Sequence, residues 1–426
     1  MTEAAAVEAA IIAAHRSDWA GMLAATVRIA RDLDLAEECV QEAYAAALKT
    51  WVGAGIPDNP AAWLTTAARR RAIDAIRRDK ALRSRLPLLV EPDEALDDVT
   101  MDELTDTGGG DPGDVLPDER LRLIFTCCHP ALSQEAQVAL TLRLVCGVPS
   151  SDIAGAFLVS ETTMAARITR AKKKISAARI PYRVPRPAEL PDRLRAVLAV
   201  IHLLFTAGHT APSGTSLVRP ELADRAMHLA RMLSTLMPDE AEVRGLVALL
   251  LVTDARRATR ADDSGRLVLL KDQDRSQWDR AALAEAHDII VGCLRGGPPR
   301  RYVLQAAIAS LYAEAPSYDQ TDWDQIVALY DKLLEVWPSP VVALNRAVPL
   351  SMVAGPQTAL VAIEDLERDG RLSGYHYLPA VKADLLSRLG RPGQAAAAYR
   401  QALALAANET ERAFLIEQLA DLNLSA

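Results

Sequence analysis

Apolar and polar positions along this chain repeat with a helical period almost throughout, and the pattern is sharpest between Ser150 and Ile175, in SSDIAGAFLVSETTMAARITRAKKKI. Ile153, Ala154 and Phe157 give a first short helix its apolar face. Met164, Ile168, Ala171 and Ile175 then recur at i, i+4, i+7 and i+11, which predicts one buried stripe on a second helix. Gly155 and Ser160 bracket the turn between them, and Ser160 with Thr163 is suited to cap the second helix. The positions left over carry Thr162, Thr163, Arg167, Thr169, Arg170, Lys172, Lys173 and Lys174, expected to face outward. A helix-turn-helix needs this layout: one stripe docks the helix, threonines and arginines near its start meet base edges, and lysines meet phosphates.

Upstream, the helical pattern runs from about Val7 to Leu86 and is broken at Gly53, Gly55, Pro57 and Pro60. In PYRVPRPAELP, from Pro181 onward, prolines end the basic part. Everything beyond is rich in alanine and leucine. Three segments there resemble one another, Tyr302 to Pro338, Val341 to Gly370 and Tyr377 to Ala406. Gly355 and Gly390, 35 residues apart, each precede an alanine-rich helix. That period resembles tetratricopeptide repeats, stacked helix pairs, although the middle copy carries Pro349 and Pro356. The block from Leu190 to Gly297 lacks a repeat, and Asp254 to Asp279 reads as a charged, structured loop. The expected fold is therefore all-α: 1–86 and 117–182 as two small helical modules, 87–116 as a linker, 183–300 as a helical extension and 301–426 as helical repeats.

Charge changes this picture by being segregated. The formal net charge is -8, yet Thr65 to Arg85 carries eight basic and two acidic residues, and Glu161 to Ile180 carries six and one. The acid is concentrated between them: Glu91 to Glu119 holds 12 acidic residues and no lysine or arginine, around a GGGDPGD core that cannot be helical. Two basic helical modules are tethered by an acidic string. Half of the residues are hydrophobic, which argues for folding rather than disorder. The N-terminal stretch has acid where an export signal has positive charge, and the apolar run from Leu194 to Gly208 is interrupted by Arg195 and His202, so a soluble cytoplasmic protein is expected. Cys39, Cys127, Cys128, Cys146 and Cys293 form no CxxC pair and read as small buried side chains, including those of Cys127-Cys128-His129. His202, His209 and His228 read as structural or surface residues, GGGDPGD would repel phosphate, and no catalytic constellation, cofactor or metal is expected.

At LSQEAQVALTLRLVCGVPSSDIAGAFLVSETTMAARITRAKKKI the sequence resembles the minus-thirty-five-reading region of extracytoplasmic-function (group four) sigma factors. DLAEECVQEAYAAALKTW, Asp34 to Trp51, is similar to that family's polymerase-binding helix, and NPAAWLTTAARRRAIDAIRR, Asn59 to Arg78, to its minus-ten-reading helix. The tail, including DQDRSQWD, looks like that of the subgroup with a tetratricopeptide-like extension. The resemblance implies a subunit that binds core RNA polymerase through Asp34, Leu35, Glu37, Glu38, Gln41, Glu42 and Tyr44, an acidic-polar surface with apolar contacts for a basic partner. It implies minus-ten contacts from an exposed basic face formed by Thr65, Thr66, Arg69, Arg70, Arg71, Asp74, Arg77 and Arg78, and minus-thirty-five contacts from the eight outward residues of the last helix. In the same reading Trp63, Leu64, Ala67, Ile73 and Ile76 are core, and the loop Gly53 to Pro60 is the candidate pocket for a flipped base. The acidic linker would lie in the polymerase's nucleic-acid path, and the tail would regulate the two modules in cis or hold a regulatory protein or peptide. Against this stand a one-component helix-turn-helix regulator with a sensing helical domain, and a scaffold whose basic helices are only solvated. Two different basic modules and an acidic linker favour the first.

Overall fold

Helix α1 (Glu3–Ala30) is the apolar spine of the N-terminal half, with Trp19, Met22, Leu23 and Val27 all buried. It packs against α2 (Leu33–Ala54) and α3 (Pro60–Arg85), which also pack on each other. Local chemistry sets the joints. Asp32 accepts from the Leu35 amide and caps α2, whose far end stops at Gly55 with φ +83°. Asn59 accepts from the Ala62 amide at 3.0 Å, starting α3 just ahead of Pro60. The structure is a computed structural model and describes residues 3–85, 117–157, 159–211, 217–262 and 264–424. The expected linker, 87–116, lies outside the described residues.

The second module follows as α4 (Pro117–Cys127), α5 (Gln134–Leu140), α6 (Ser150–Ala156) and α7 (Glu161–Ala177). Ser133 caps α5, which runs on into a single π turn over Thr141–Val145. Gly147, at φ +68°, sits so close to α1 that a Cβ there would lie 2.8 Å from the His15 ring and 3.0 Å from the Trp19 indole. Helix α8 (Leu190–His209) follows the proline-rich stretch.

The described chain divides into two compact units, 1–200 and 201–426. In the second, α9 (Pro220–Leu236) and α10 (Ala241–Asp254) precede a loop of short 3-10 turns. Trp278 of that loop is buried and donates to Thr259 at 2.9 Å, and Asp279 caps α11 (Arg280–Arg295). Helix α10 is buried on nearly every side and presses Gly245 against Val303 of α12 (Arg301–Glu314). Then come α13 (Trp323–Val336), α14 (Pro340–Val353), α15 (Pro356–Asp369), α16 (Tyr377–Arg388), α17 (Pro392–Leu405) and α18 (Glu409–Leu424), each packed on its neighbour in sequence. Gly355 and Gly390, the spaced turn glycines, both hold left-handed backbone, and Pro356 opens α15 while Pro349 lies inside α14. The fold is all-α: among the described residues the sole β pairing is an isolated bridge between Ala261 and Leu267.

Candidate nucleic-acid interface

Helix α7 is held as its periodicity predicts. Met164, Ile168, Ala171 and Ile175 are all buried, and Ser160 accepts from the Thr163 amide at 3.2 Å while bonding the Thr162 and Thr163 hydroxyls. Thr162, Thr163, Thr169, Arg170, Lys173 and Lys174 stand exposed. Arg167 is half-buried and pairs with Glu135 of α5 at 3.2 Å, and Arg170 leans back onto its own Ala166 carbonyl. Lys172 departs from the expected outward face: its side chain is only 9% exposed and turns onto α2. Helix α6 buries Ile153 and Ala154 and packs on α7.

Helix α3 carries the second basic face. Arg70, Asp74, Arg77 and Arg78 are exposed, and Thr66, Arg69 and Arg71 are half-buried. Burial lowers the Arg69 pKa, with a smaller push from Arg28. Arg71 is engaged, by Glu42 of α2 at 3.3 Å and by the Ala67 carbonyl. Thr65 is not on this face at all. It is 3% exposed and its hydroxyl donates to the Ala61 carbonyl at 2.8 Å, the back-bond that lets a β-branched alcohol sit inside a helix bundle. Leu64 is buried, while Trp63 is half-buried and meets the buried Trp51 ring edge-on at 5.5 Å. A cavity of about 740 Å³ opens between α2 and α3, walled by Thr50, Trp63, Thr66, Arg70, Arg71 and Asp74 among others. The loop Gly53 to Pro60, the expected pocket, contributes nothing to it. Sequence reasoning missed Thr50, whose position one turn before the break at Gly53 was the available signal.

On α2 the acidic-polar face is real but not uniformly open. Asp34, Glu38, Gln41 and Glu42 are exposed, Leu35 and Tyr44 half-buried, and Glu37 buried. Tyr44 stacks at 6.2 Å on Trp19, and burial raises the pKa of its phenol. Glu37 is buried because it is fully occupied: Arg143 of the π turn pairs with it, Lys172 donates to it at 2.7 Å, and Lys172 also reaches Asp34 at 2.6 Å. Burial alone would depress the Lys172 pKa, but hydrogen bonds to the two carboxylates outweigh it and the pKa is raised. A second tie uses Glu119, the last residue of the acidic run, buried on α4, where it pairs with Arg28 at 3.5 Å and Arg122 at 3.1 Å. The Trp19 indole donates to the Leu144 carbonyl at 3.0 Å, and the Tyr182 hydroxyl to the Ala24 carbonyl at 3.2 Å. These contacts bind the two basic modules to each other within the first unit.

The cysteines do not add a site. All five are free and buried, and burial drives the Cys128 thiol up to about 12, far from the thiolate a metal needs. Among the described residues no group of His, Cys, Asp and Glu is arranged to hold a metal ion, and no helix is long and apolar enough to cross a membrane.

Comparison with known proteins accounts for both basic modules at once. Residues 21–82 match the family model of sigma-70 region 2, and residues 122–175 match that of sigma-70 region 4. The chain belongs to the sigma-70 family. Region 2 covers the end of α1, all of α2 and nearly all of α3; region 4 covers α5, α6 and most of α4 and α7. Residues 193–293 match a family of unknown function, DUF6596. The whole sigma chain is 42% identical over 419 residues to the uncharacterized protein R00370 of Rhizobium meliloti (strain 1021), covering 98% of this chain and 96% of that one. A sigma factor serves RNA polymerase in promoter recognition, so core RNA polymerase and promoter DNA are its partners.

Proposed function

We propose that this sigma factor is of the extracytoplasmic-function, group four type, built as 1–86, a linker over 87–116, 117–182, an extension over 183–300 and tetratricopeptide-like repeats over 301–426. It grips polymerase with the exposed acidic face of α2, holds the minus-ten element on α3 and reads the minus-thirty-five element with α7. The observation that carries this reading is α7 itself: a capped helix docked by one apolar stripe, with Thr162, Thr163, Arg170, Lys173 and Lys174 exposed on the outside. Arginine forks are suited to guanine edges and lysines to phosphates. The 740 Å³ cavity beside Arg70, Arg71 and Trp63 supports strand capture on α3, since it offers an aromatic edge next to two cationic side chains. Opposite charge on α2 suits basic helices of the polymerase, giving steering and orientation.

Alanine at both Arg167 and Arg170 tests the assignment. Transcription from the protein's own promoter should fall at least tenfold, at about 1–3 kcal/mol per lost bidentate contact, with core-polymerase binding intact. Loss of polymerase binding instead would mean that the wrong face has been assigned to DNA.

The tail regulates the two modules in cis, or holds a regulatory protein or peptide for them, because a covalently fused domain acts at high effective concentration. A chain ended at Thr210, which keeps the Tyr182 and Arg193 contacts with the first unit, should change promoter output; unchanged polymerase binding and output would remove the tail from the mechanism. The site of action is the cytoplasm, where polymerase works.

A further inference from the structure

Among the described residues, the two that hold left-handed backbone without being glycine are both arginines, Arg31 at φ 53° and Arg179 at φ 47°. Each follows a helix end, Arg31 after α1 and Arg179 after α7. There the Arg31 and Ile180 amides return to the Val27 and Ile175 carbonyls at 2.8 and 3.0 Å. Glycine is the usual residue at such a turn, because a Cβ strains the left-handed backbone. Strain of this kind persists where a particular side chain is needed. The fold does not need either guanidinium: both residues are exposed, and neither side chain has a hydrogen-bond or ion-pair partner among the described residues.

Both arginines line one cleft of about 670 Å³, bounded by the corner joining α1 to α2 and by α4 and α7. Its lining carries six cations, Arg28, Arg31, Arg122, Lys172, Lys173 and Arg179, against two carboxylates, Asp32 and Asp34. Those carboxylates are already occupied: Asp32 caps α2 through the Leu35 amide, and Asp34 accepts from Lys172. Glu119 pairs with Arg28 and Arg122. Arg31, Lys173 and Arg179 are left as three uncompensated charges in one concave site, and Leu33, Ile175 and Ile180, all buried, give the same lining an apolar part. The volume falls within the range of about 300–1,000 Å³ typical of small-ligand pockets, and a few placed charges beside apolar surface is their usual make-up. A cleft lined by one sign of charge focuses its field and concentrates ions of the other sign. Guanidinium forks match phosphate oxygens in pairs. One phosphate monoester carries only about -1.5 to -2, so three open cations are matched better by two adjacent phosphates.

We propose that this cleft is a binding site for a nucleotide-sized ligand with two or more adjacent phosphates, held by Arg31, Lys173 and Arg179, with the apolar lining against its organic part. The strained backbone at two helix ends is retained because it brings one guanidinium to the cleft from α1 and another from α7. A bound ligand touches both basic modules at once.

The test is calorimetric titration of ATP, without magnesium, into the full chain at physiological salt. One saturable site should appear, pyrophosphate should also bind, and adenosine should not. Arg31→Gly and Arg179→Gly, each suited to the backbone it enters, should weaken ATP about ten- to a hundredfold apiece, the loss of one charge-assisted contact. Without ligand the same two variants should melt at the wild-type temperature or up to about 4 °C above it, since glycine relieves the strain. Arg31→Lys should restore part of the affinity, and Arg70→Ala on α3 should leave ATP binding intact, which separates the cleft from general attraction to a basic surface. ATP binding tighter than pyrophosphate supports a nucleotide as the ligand; equal affinities support an inorganic polyphosphate in the same site. Absence of saturable binding by either probe overturns the proposal. So does wild-type ATP affinity in both glycine variants, the result expected if these arginines serve only duplex DNA. A melting temperature well below the wild type in both glycine variants would place the arginines in the fold and overturn it as well.

Discussion

Removing the three free cations of α3, with Arg70→Ala, Arg77→Ala and Arg78→Ala together, should change how promoter binding depends on salt. These arginines are exposed, and no acidic side chain pairs with them among the described residues. Each contact with a phosphate releases about 0.7 counterion equivalents on single-stranded DNA and about 0.9 on duplex. Three contacts therefore contribute about 2.1 to 2.7 to the slope of log affinity against log salt. Over a fourfold salt increase, from about 50 to 200 mM, that slope amounts to about a 20- to 40-fold loss of affinity which the wild type suffers and the triple variant does not. The assay is promoter binding by holoenzyme reconstituted from core polymerase and each protein, titrated with salt. Arg71→Ala is the internal control: its guanidinium is already held by Glu42 and the Ala67 carbonyl, so it should leave the slope nearly unchanged, well below the about 0.7 to 0.9 of one lost contact. A triple variant whose slope equals that of the wild type would refute the assignment of α3 to the DNA backbone.

Three further outcomes follow from the packing. Ile168→Ala, in the buried stripe of α7, should destabilise the first unit by about 2–4 kcal/mol in denaturant unfolding and abolish minus-thirty-five-dependent transcription. Gly147→Ala combines a left-handed φ with a Cβ 2.8 Å from His15 and should cost about 2–4 kcal/mol by the same measurement, whereas Gly53→Ala, with open space around it, should cost little. His202 is half-buried and meets the buried Tyr302 ring edge-on at 5.5 Å, and desolvation, with Arg301 nearby, lowers its pKa to about 4. A histidine held neutral contributes stability that is complete above its unfolded pKa of about 6.5 and is lost as pH falls toward about 4, by about 3 kcal/mol in all. His202→Asn should flatten the stability of the second unit over that window, seen in melts at pH 7, 5.5 and 4.5.

What could be read from the chain was whatever rests on local periodicity and capping. The stripe Met164, Ile168, Ala171 and Ile175, the Ser160 cap and the breaks around Gly55 and Pro60 depend on neighbours within a few turns. The helical character of the tail and its turn glycines were legible for the same reason. Contacts between distant residues were not. Lys172 and Glu37 look like solvated charges in their own helices and become buried only because they meet across 135 positions. Glu119 sits among linker acids in sequence, yet two arginines, one of them on α1, draw it into the interior. Thr65 fell in an exposed register, but its hydroxyl finds the Ala61 carbonyl and no longer needs water. The π turn at Thr141–Val145 leaves no composition signal, although it carries Arg143, which pairs with Glu37 of α2.

The most direct test of the central claim is in vitro transcription with purified core RNA polymerase on a genomic fragment carrying the protein's own promoter. Discrete transcripts with one start site should appear only when this protein is added, and should vanish with the Arg167→Ala, Arg170→Ala variant. No specific initiation, alongside tight duplex binding by the isolated protein at physiological salt, would contradict the account and point to a regulator that acts on DNA without polymerase.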